Sequence, residues 1–279
     1  MNKIILCLSC MFVLCMTGRA EMIAGLNAAG ELWKADTANF NGTKQKLATL
    51  TAGGASYIDS AYDGQYLYGL RDDGAVYQSD AQGNVSQVGV SGWSGVIAIS
   101  AQQGTLYGMT GSGTIRATNG TASVTLTGSM PWVDFSITDN GNFWMVTGGS
   151  SNKSYCYAFT NGYSGAVAGN AGFITQGNAS GIELATAGND LYVLRVYLAD
   201  SAVYKNSTFI TQTGVMPADL AAGNALYYIE TTGKLWTMPF TNTIRTVVGT
   251  FTGAGSSFVG VEALPAPRRL GLFMLSSVR

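Results

Sequence analysis

One short motif recurs along this chain, and it constrains the fold more than any other feature. An aliphatic–aromatic pair followed by apolar residues appears as Leu67-Tyr68-Gly69-Leu70, Leu106-Tyr107-Gly108-Met109, Phe143-Trp144-Met145-Val146, Leu191-Tyr192-Val193-Leu194 and Leu226-Tyr227-Tyr228-Ile229, with a degenerate copy at Ile23-Ala24-Gly25-Leu26. Successive copies start 44, 39, 37, 48 and 35 residues apart. Self-similarity at such a period means one supersecondary unit that stacks on copies of itself. Across a turn rich in Gly, Asp or Asn, a second strand follows: Ala24 is matched by Trp33, Tyr68 by Tyr77, Tyr107 by Arg116 and Tyr227 by Trp236, each nine residues on. That spacing fits strand, tight turn, strand. In the fourth and fifth copies the gap widens to 13 and 12 residues (Trp144 to Tyr157, Tyr192 to Tyr204), which puts insertions at 148–153 and 196–200 on one face.

Upstream of each hairpin lies a short strand with many small residues, at 57–61, 95–99, 132–135, 181–185, 218–221 and 258–263. The last has no hairpin after it, and the first hairpin has no such strand before it. A unit of about 40 residues holding four strands is the blade of a β-propeller, whose innermost strand must be narrow where blades converge. The expectation is therefore an all-β chain, a six-bladed β-propeller in which the C-terminal strand joins the N-terminal three strands to close the ring and remove free edges. Residues 21–264 form one such domain, with no break in composition to mark a second. The strand pattern resembles six-bladed propellers of the kind seen in tectonin-like lectins, a likeness of architecture that transfers no functional residue.

Composition narrows the chemistry. With no His among 279 residues, Ser-His-Asp and Cys-His catalysis are excluded and the commonest transition-metal ligand is missing. A net charge of -1 gives no basic excess for nucleic acid, so no nucleic-acid partner is expected. Lys3, the apolar run 4–16 and Gly18-Arg19-Ala20 have the layout of a signal peptide over residues 1–20, which makes Glu21 the first mature residue. Three of the 4 Cys lie in that leader and only Cys156 remains, so no intrachain disulfide can form.

At the other end, Leu264-Pro265-Ala266-Pro267-Arg268-Arg269 runs into Leu270-Gly271-Leu272-Phe273-Met274-Leu275. This resembles the C-terminal sorting segment of exosortase substrates (PEP-CTERM), in degenerate form: Ala266 stands where Glu is usual, and two arginines interrupt the start of the apolar run. The resemblance implies delivery to the cell envelope by a tail at 265–279. The competing reading is a plain amphipathic tail. Its nine apolar or small residues would span about 14 Å as a helix against roughly 30 Å of hydrocarbon, so the mature chain has no transmembrane span. The expected location is extracellular or in the cell envelope, as a monomer.

Acids recur on the inner strands: Asp59, Asp134, Glu183, Asp219 and Glu262, with 95–99 lacking one. Two readings stand. Each carboxylate accepts backbone N–H bonds from the loop of its own or the neighbouring blade, or together they form a partial ring able to bind Ca²⁺ through oxygen. Recurrence favours the first, so no metal or other cofactor is expected. The regular aromatics Trp33, Tyr77, Tyr157, Tyr204 and Trp236 read as packing between blades. The irregular residues Tyr62, Arg71, Asp72, Trp93, Trp132, Tyr163, Arg195 and Tyr197 fall in turns, inserts or single blades and are the candidate binding residues. The function expected is a non-catalytic binding module for a glycan or a protein. The alternative is an extracytoplasmic lyase or hydrolase using Asp/Glu, Tyr and Arg, with calcium as an optional partner.

Overall fold

A computed structural model describes residues 21–51, 54–89, 93–118, 123–125, 132–138, 141–147, 153–159, 167–176, 181–187, 190–196, 201–206, 208–215, 217–241, 243–252 and 257–264, of which 123–125, 153–159, 167–176, 181–182 and 195–196 are described by backbone alone. The leader, the C-terminal tail and the tips of both expected insertions lie outside these residues, as do Tyr163 and Tyr197.

Short strands separated by tight turns dominate the chain. The first three are β1 (Met22–Asn27), β2 (Glu31–Asp36) and β3 (Gln45–Thr49), with a single helical turn, α1 (Phe40–Thr43), between the last two. Then come β4 (Tyr57–Tyr62), β5 (Leu67–Arg71), β6 (Val76–Ser79) and β7 (Val85–Val88), followed by β8 (Val96–Gln102), β9 (Thr105–Thr110), β10 (Thr114–Ala117) and β11 (Ser123–Thr125). The next group is β12 (Trp132–Ile137), β13 (Phe143–Thr147), β14 (Lys153–Phe159) and β15 (Val167–Gln176), and after it β16 (Gly181–Ala187), β17 (Asp190–Val196), β18 (Ser201–Lys205) and β19 (Thr208–Gln212). Last are β20 (Pro217–Ala222), β21 (Leu226–Glu230), β22 (Lys234–Met238), β23 (Thr246–Thr250) and β24 (Phe258–Leu264). Five groups of four consecutive strands each make an antiparallel sheet, and the strand order β24-β1-β2-β3 makes a sixth. In that sheet Ile23 lies opposite Ala263 on one side and Ala35 on the other.

The first strand of each group meets that of the next: β4 packs on β8, β8 on β12, β12 on β16, β16 on β20, β20 on β24, and β24 on β4. Apolar side chains fill the seams between neighbouring sheets. Ile23 of β1 and Phe40 of α1, for example, pack with Tyr227, Ile229 and Leu235 of the β20–β23 sheet and with Phe258 of β24. Each such side chain contributes about 1.5–3 kcal/mol by leaving water. The all-β architecture is a β-propeller.

Two local corrections to the sequence reading concern register and aromatics. Hairpin partners sit one residue off the nine-residue spacing: Gly69 faces Tyr77, Gly108 faces Arg116 and Tyr228 faces Trp236. A small residue opposite a long one makes room for a third side chain. A Cβ at Gly108 would come within 2.6 Å of the Trp93 ring, which lies across that strand. Trp93 is thus 3% exposed, packed with Leu106, Val96 and Leu70. Trp132, 7% exposed, rests on the hairpin turn at Gly113, where φ is +84° and a side chain would meet the indole. Tyr57 in β4 and Phe258 in β24 occupy the same starting position and are equally buried. Trp132 therefore belongs to a repeating structural series and not to a single blade. Of the regular aromatics, Tyr204 is fully buried, while Trp33, Tyr77 and Trp236 are half-buried against the seams. Among the described residues, no helix is long and apolar enough to cross a membrane.

Candidate functional site: the central channel

The six inner strands, β4, β8, β12, β16, β20 and β24, surround a cavity of about 200 Å³. Its wall is made of small side chains, including Ala61, Ser100, Ser136, Ala185 and Ala221, with carboxylates among them. Among the described residues no Lys or Arg lines it.

Aligning the inner strands puts Asp59, Ala98, Asp134, Glu183, Asp219 and Gly260 at one level. The three aspartates occupy alternate strands, and each does the same work. Asp59 accepts the N–H of Ser60 at 2.8 Å on one oxygen and that of Ile99, on the next inner strand, at 2.6 Å on the other. Asp134 accepts from Phe135 at 2.7 Å and Leu184 at 2.6 Å. Asp219 accepts from Leu220 and Val261, both at 2.6 Å. Each aspartate staples its own strand to the following one, and charge-assisted bonds of this length are the strong kind.

Hydrogen-bond arithmetic explains the alternation. Six inward amides need acceptors, one per inner strand, and each carboxylate serves two. Three aspartates saturate the set, so a fourth at Ala98, Glu183 or Gly260 would find no free amide. The sequence expectation of one structural acid per blade is corrected here: acids at this level scaffold in alternate blades only.

Two acids remain outside that scheme. Glu262 lies one level further along β24 and accepts a bond from Ser60 Oγ at 2.9 Å. Glu183 accepts no hydrogen bond from any described residue. It is enclosed by the ring and open only to the cavity. Burial raises the pKa of all five carboxyls, with repulsion from neighbouring carboxylates adding to it at Asp59, Asp134, Glu183 and Glu262. Asp219 is pushed up to about 7 and Glu262 to about 8, while Asp59, Asp134 and Glu183 stand well above the ordinary range. For Glu183 no backbone bond opposes that rise. Among the described residues no three or more acidic or sulfur ligands converge as a metal site would require.

The candidate binding residues scatter. Tyr62, half-buried, lines the channel at the end of β4. Asp72 is exposed in the β5–β6 turn. Arg71 beside it is 5% exposed, paired with Asp73 at 2.8 Å, with its guanidinium 5.8 Å from the Tyr77 ring. Trp93 and Trp132 are core residues, as described. Arg195 lies on β17, its side chain outside the described set. Sequence reasoning did not single out the channel wall beyond its acids. The signal was present in the way Asp and non-Asp alternate at one strand position.

No family model matches the chain, and no curated protein matches it in sequence. Solved structures do, 856 chains in all, so the fold is too widespread to carry a function by itself. One is a chain in the crystal structure of a nidogen/laminin complex, with a TM-score of 0.66 at 10% identity over 88% of this chain and 98% of that one. Another belongs to YCF48 bound to a D1 peptide, with a TM-score of 0.50 at 13% identity over 82% of each chain. A third is a protein of unknown function from Bacteroides caccae, with a TM-score of 0.55 at 9% identity over 88% of this chain and 98% of that one. At such identities the likeness is one of fold: the chain is a β-propeller.

Proposed function

We propose that this chain is a non-catalytic interaction module, a six-bladed propeller closed by β24 on β1, which is exported to the cell surface or envelope and binds a protein partner there. The observation that carries the reading is the commitment of Asp59, Asp134 and Asp219. The groups best placed for acid–base work in the channel each have both oxygens held by backbone amides. Two similar folds come from structures titled as a protein complex and a peptide complex, which supports a protein rather than a glycan as the partner. Of the candidate binding residues, Tyr62 and Asp72 have described and accessible side chains, and the position of Tyr62 on the channel lining supports that end as the contact face. Glycan binding is the variant of this reading in which the same face takes a sugar.

The enzymatic alternative, a lyase or hydrolase, draws its support from carboxyls pushed to about 7 and about 8, values suited to general acids. One experiment separates the two. A photo-crosslinking amino acid at Tyr62 in the full chain, expressed in its own cells, should trap one defined protein, while the same group at exposed Gln87 on β7 traps none. Equal trapping at both positions, or turnover of a polysaccharide or ester panel by the purified protein, would overturn the reading.

A further inference from the structure

Glu183 is the residue that scaffolding does not explain. Burying a carboxylate costs free energy that hydrogen bonds or an opposite charge normally offset. The three aspartates recover that cost from six amides, and Glu262 recovers part of it from Ser60. Among the described residues Glu183 has neither an amide nor a cation, and Asp59, Asp134 and Asp219 add their repulsion. Any bulky neutral residue would fill its place more cheaply unless something positive visits the channel.

Size and shape select the visitor. A cavity of about 200 Å³ falls below the roughly 300–1,000 Å³ of sites for drug-sized ligands, so the ligand is slender. The wall beyond the acid level is largely alanine and serine, which suits an aliphatic stem. A divalent metal is a poor match, because it wants six to eight oxygens at close range. The aspartate oxygens already hold amides and no convergent ligand group is present among the described residues. An ammonium on a flexible four-carbon stem needs one strong acceptor and a negative surrounding field.

We propose that the channel binds a primary alkylammonium group, the side chain of a lysine presented by the protein partner, with Glu183 as its counter-ion. The stem runs past Ala185 and Ala221, and Tyr62 lies at the rim where the rest of the partner sits. This rests on the interaction-module reading and names its partner chemistry. Burial and the neighbouring carboxylates raise the pKa of Glu183, so an incoming ammonium favours its ionised form, and binding releases a proton and tightens as the pH rises.

The test is calorimetric titration of the full chain with three probes: an acetylated lysine-containing tripeptide with amidated end, free cadaverine, and Ca²⁺. The expected result is one site for the peptide, weakened at least tenfold in Glu183→Gln and unchanged in Gln87→Ala on the exposed β7 strand, with protons released on binding. A second variant, Glu183→Lys, supplies a tethered ammonium and should abolish peptide binding while keeping a cooperative melt. Cadaverine binding without peptide binding overturns the partner as the source, and Ca²⁺ alone binding overturns the ammonium. No binding of either amine overturns the proposal outright. A partner trapped at Tyr62 with full efficiency in Glu183→Gln would leave the interaction module standing and remove the channel from it. Peptide binding with no partner trapped would do the reverse.

Discussion

The seams between inner strands are of two kinds, and they differ although they are built from the same repeat. At β4/β8, β12/β16 and β20/β24 an aspartate bridges the two backbones. At β8/β12, β16/β20 and β24/β4 the matching positions are Ala98, Glu183 and Gly260, and among the described residues no carboxylate bridges the two backbones; at β24/β4 Glu262 reaches across only to the Ser60 hydroxyl. At the last of these Ser60 fills the space that a side chain on Gly260 would occupy. The comparison separates acids that hold the ring from an acid that does not. Repetition by itself cannot make that separation, because Asp134 and Glu183 look alike when one acid per blade is counted.

The largest effect that could break this comparison comes from Asp134→Ala. Two inward amides, of Phe135 and Leu184, lose their acceptors. At about 1–3 kcal/mol for each orphaned group, the loss is about 4 kcal/mol, a fall in melting temperature of roughly 10 °C. If calorimetry shows a fall under about 2 °C, the staple is ornamental.

The converse substitution sharpens the point. Ala98→Asp places a carboxylate at an unstapled seam, where both nearby amides are taken by Asp59 and Asp134. It should destabilise by about 3 kcal/mol, the scale of an uncompensated buried polar group. A gain in stability in urea unfolding would mean that an unpaired amide exists and that the counting is wrong.

Next in size is the response to pH. The folded chain keeps protons on Asp219, up to about 7, and Glu262, up to about 8, that the unfolded chain has released above pH 4 to 5. That contribution is present at pH 5 and lost as the pH rises through 7 to 8, the opposite of a salt-bridged acid. The melting temperature should fall by about 5 °C or more between pH 5.5 and pH 8.5. A rise over that range would show that these groups are ionised and compensated in the fold.

Smallest is Glu183→Gln. Removing an unpaired charge from the unstapled seam should raise stability at pH 8.5 by about 1 kcal/mol, or 2–4 °C, with little change at pH 5.5. Destabilisation at both pH values would place Glu183 among the scaffolding acids.

Much of this architecture is legible in the amino-acid order. The inner strands, the hairpins and the acids on them follow from periods and turn residues, because a repeat must place equivalent residues at equivalent depths. The hairpin register was not legible. A nine-residue spacing between aromatics does not reveal that Gly69 faces Tyr77, a pairing that leaves a recess between neighbouring blades. Trp93 looked irregular because it enters its seam from the segment before β8, where period carries no information, and Trp132 because its equivalents at the strand start, Tyr57 and Phe258, are different residue types. The split between Asp134 and Glu183 required hydrogen-bond partners, which spacing does not specify.

Amide hydrogen exchange in Asp134→Ala and Glu183→Gln, read at Ser60, Ile99, Phe135, Leu184, Leu220 and Val261, tests the division of the channel acids most directly. The account predicts that Asp134→Ala exposes Phe135 and Leu184 and leaves the other four protected, while Glu183→Gln leaves all six protected. Loss of protection in Glu183→Gln, or none at Leu184 in Asp134→Ala, would contradict it.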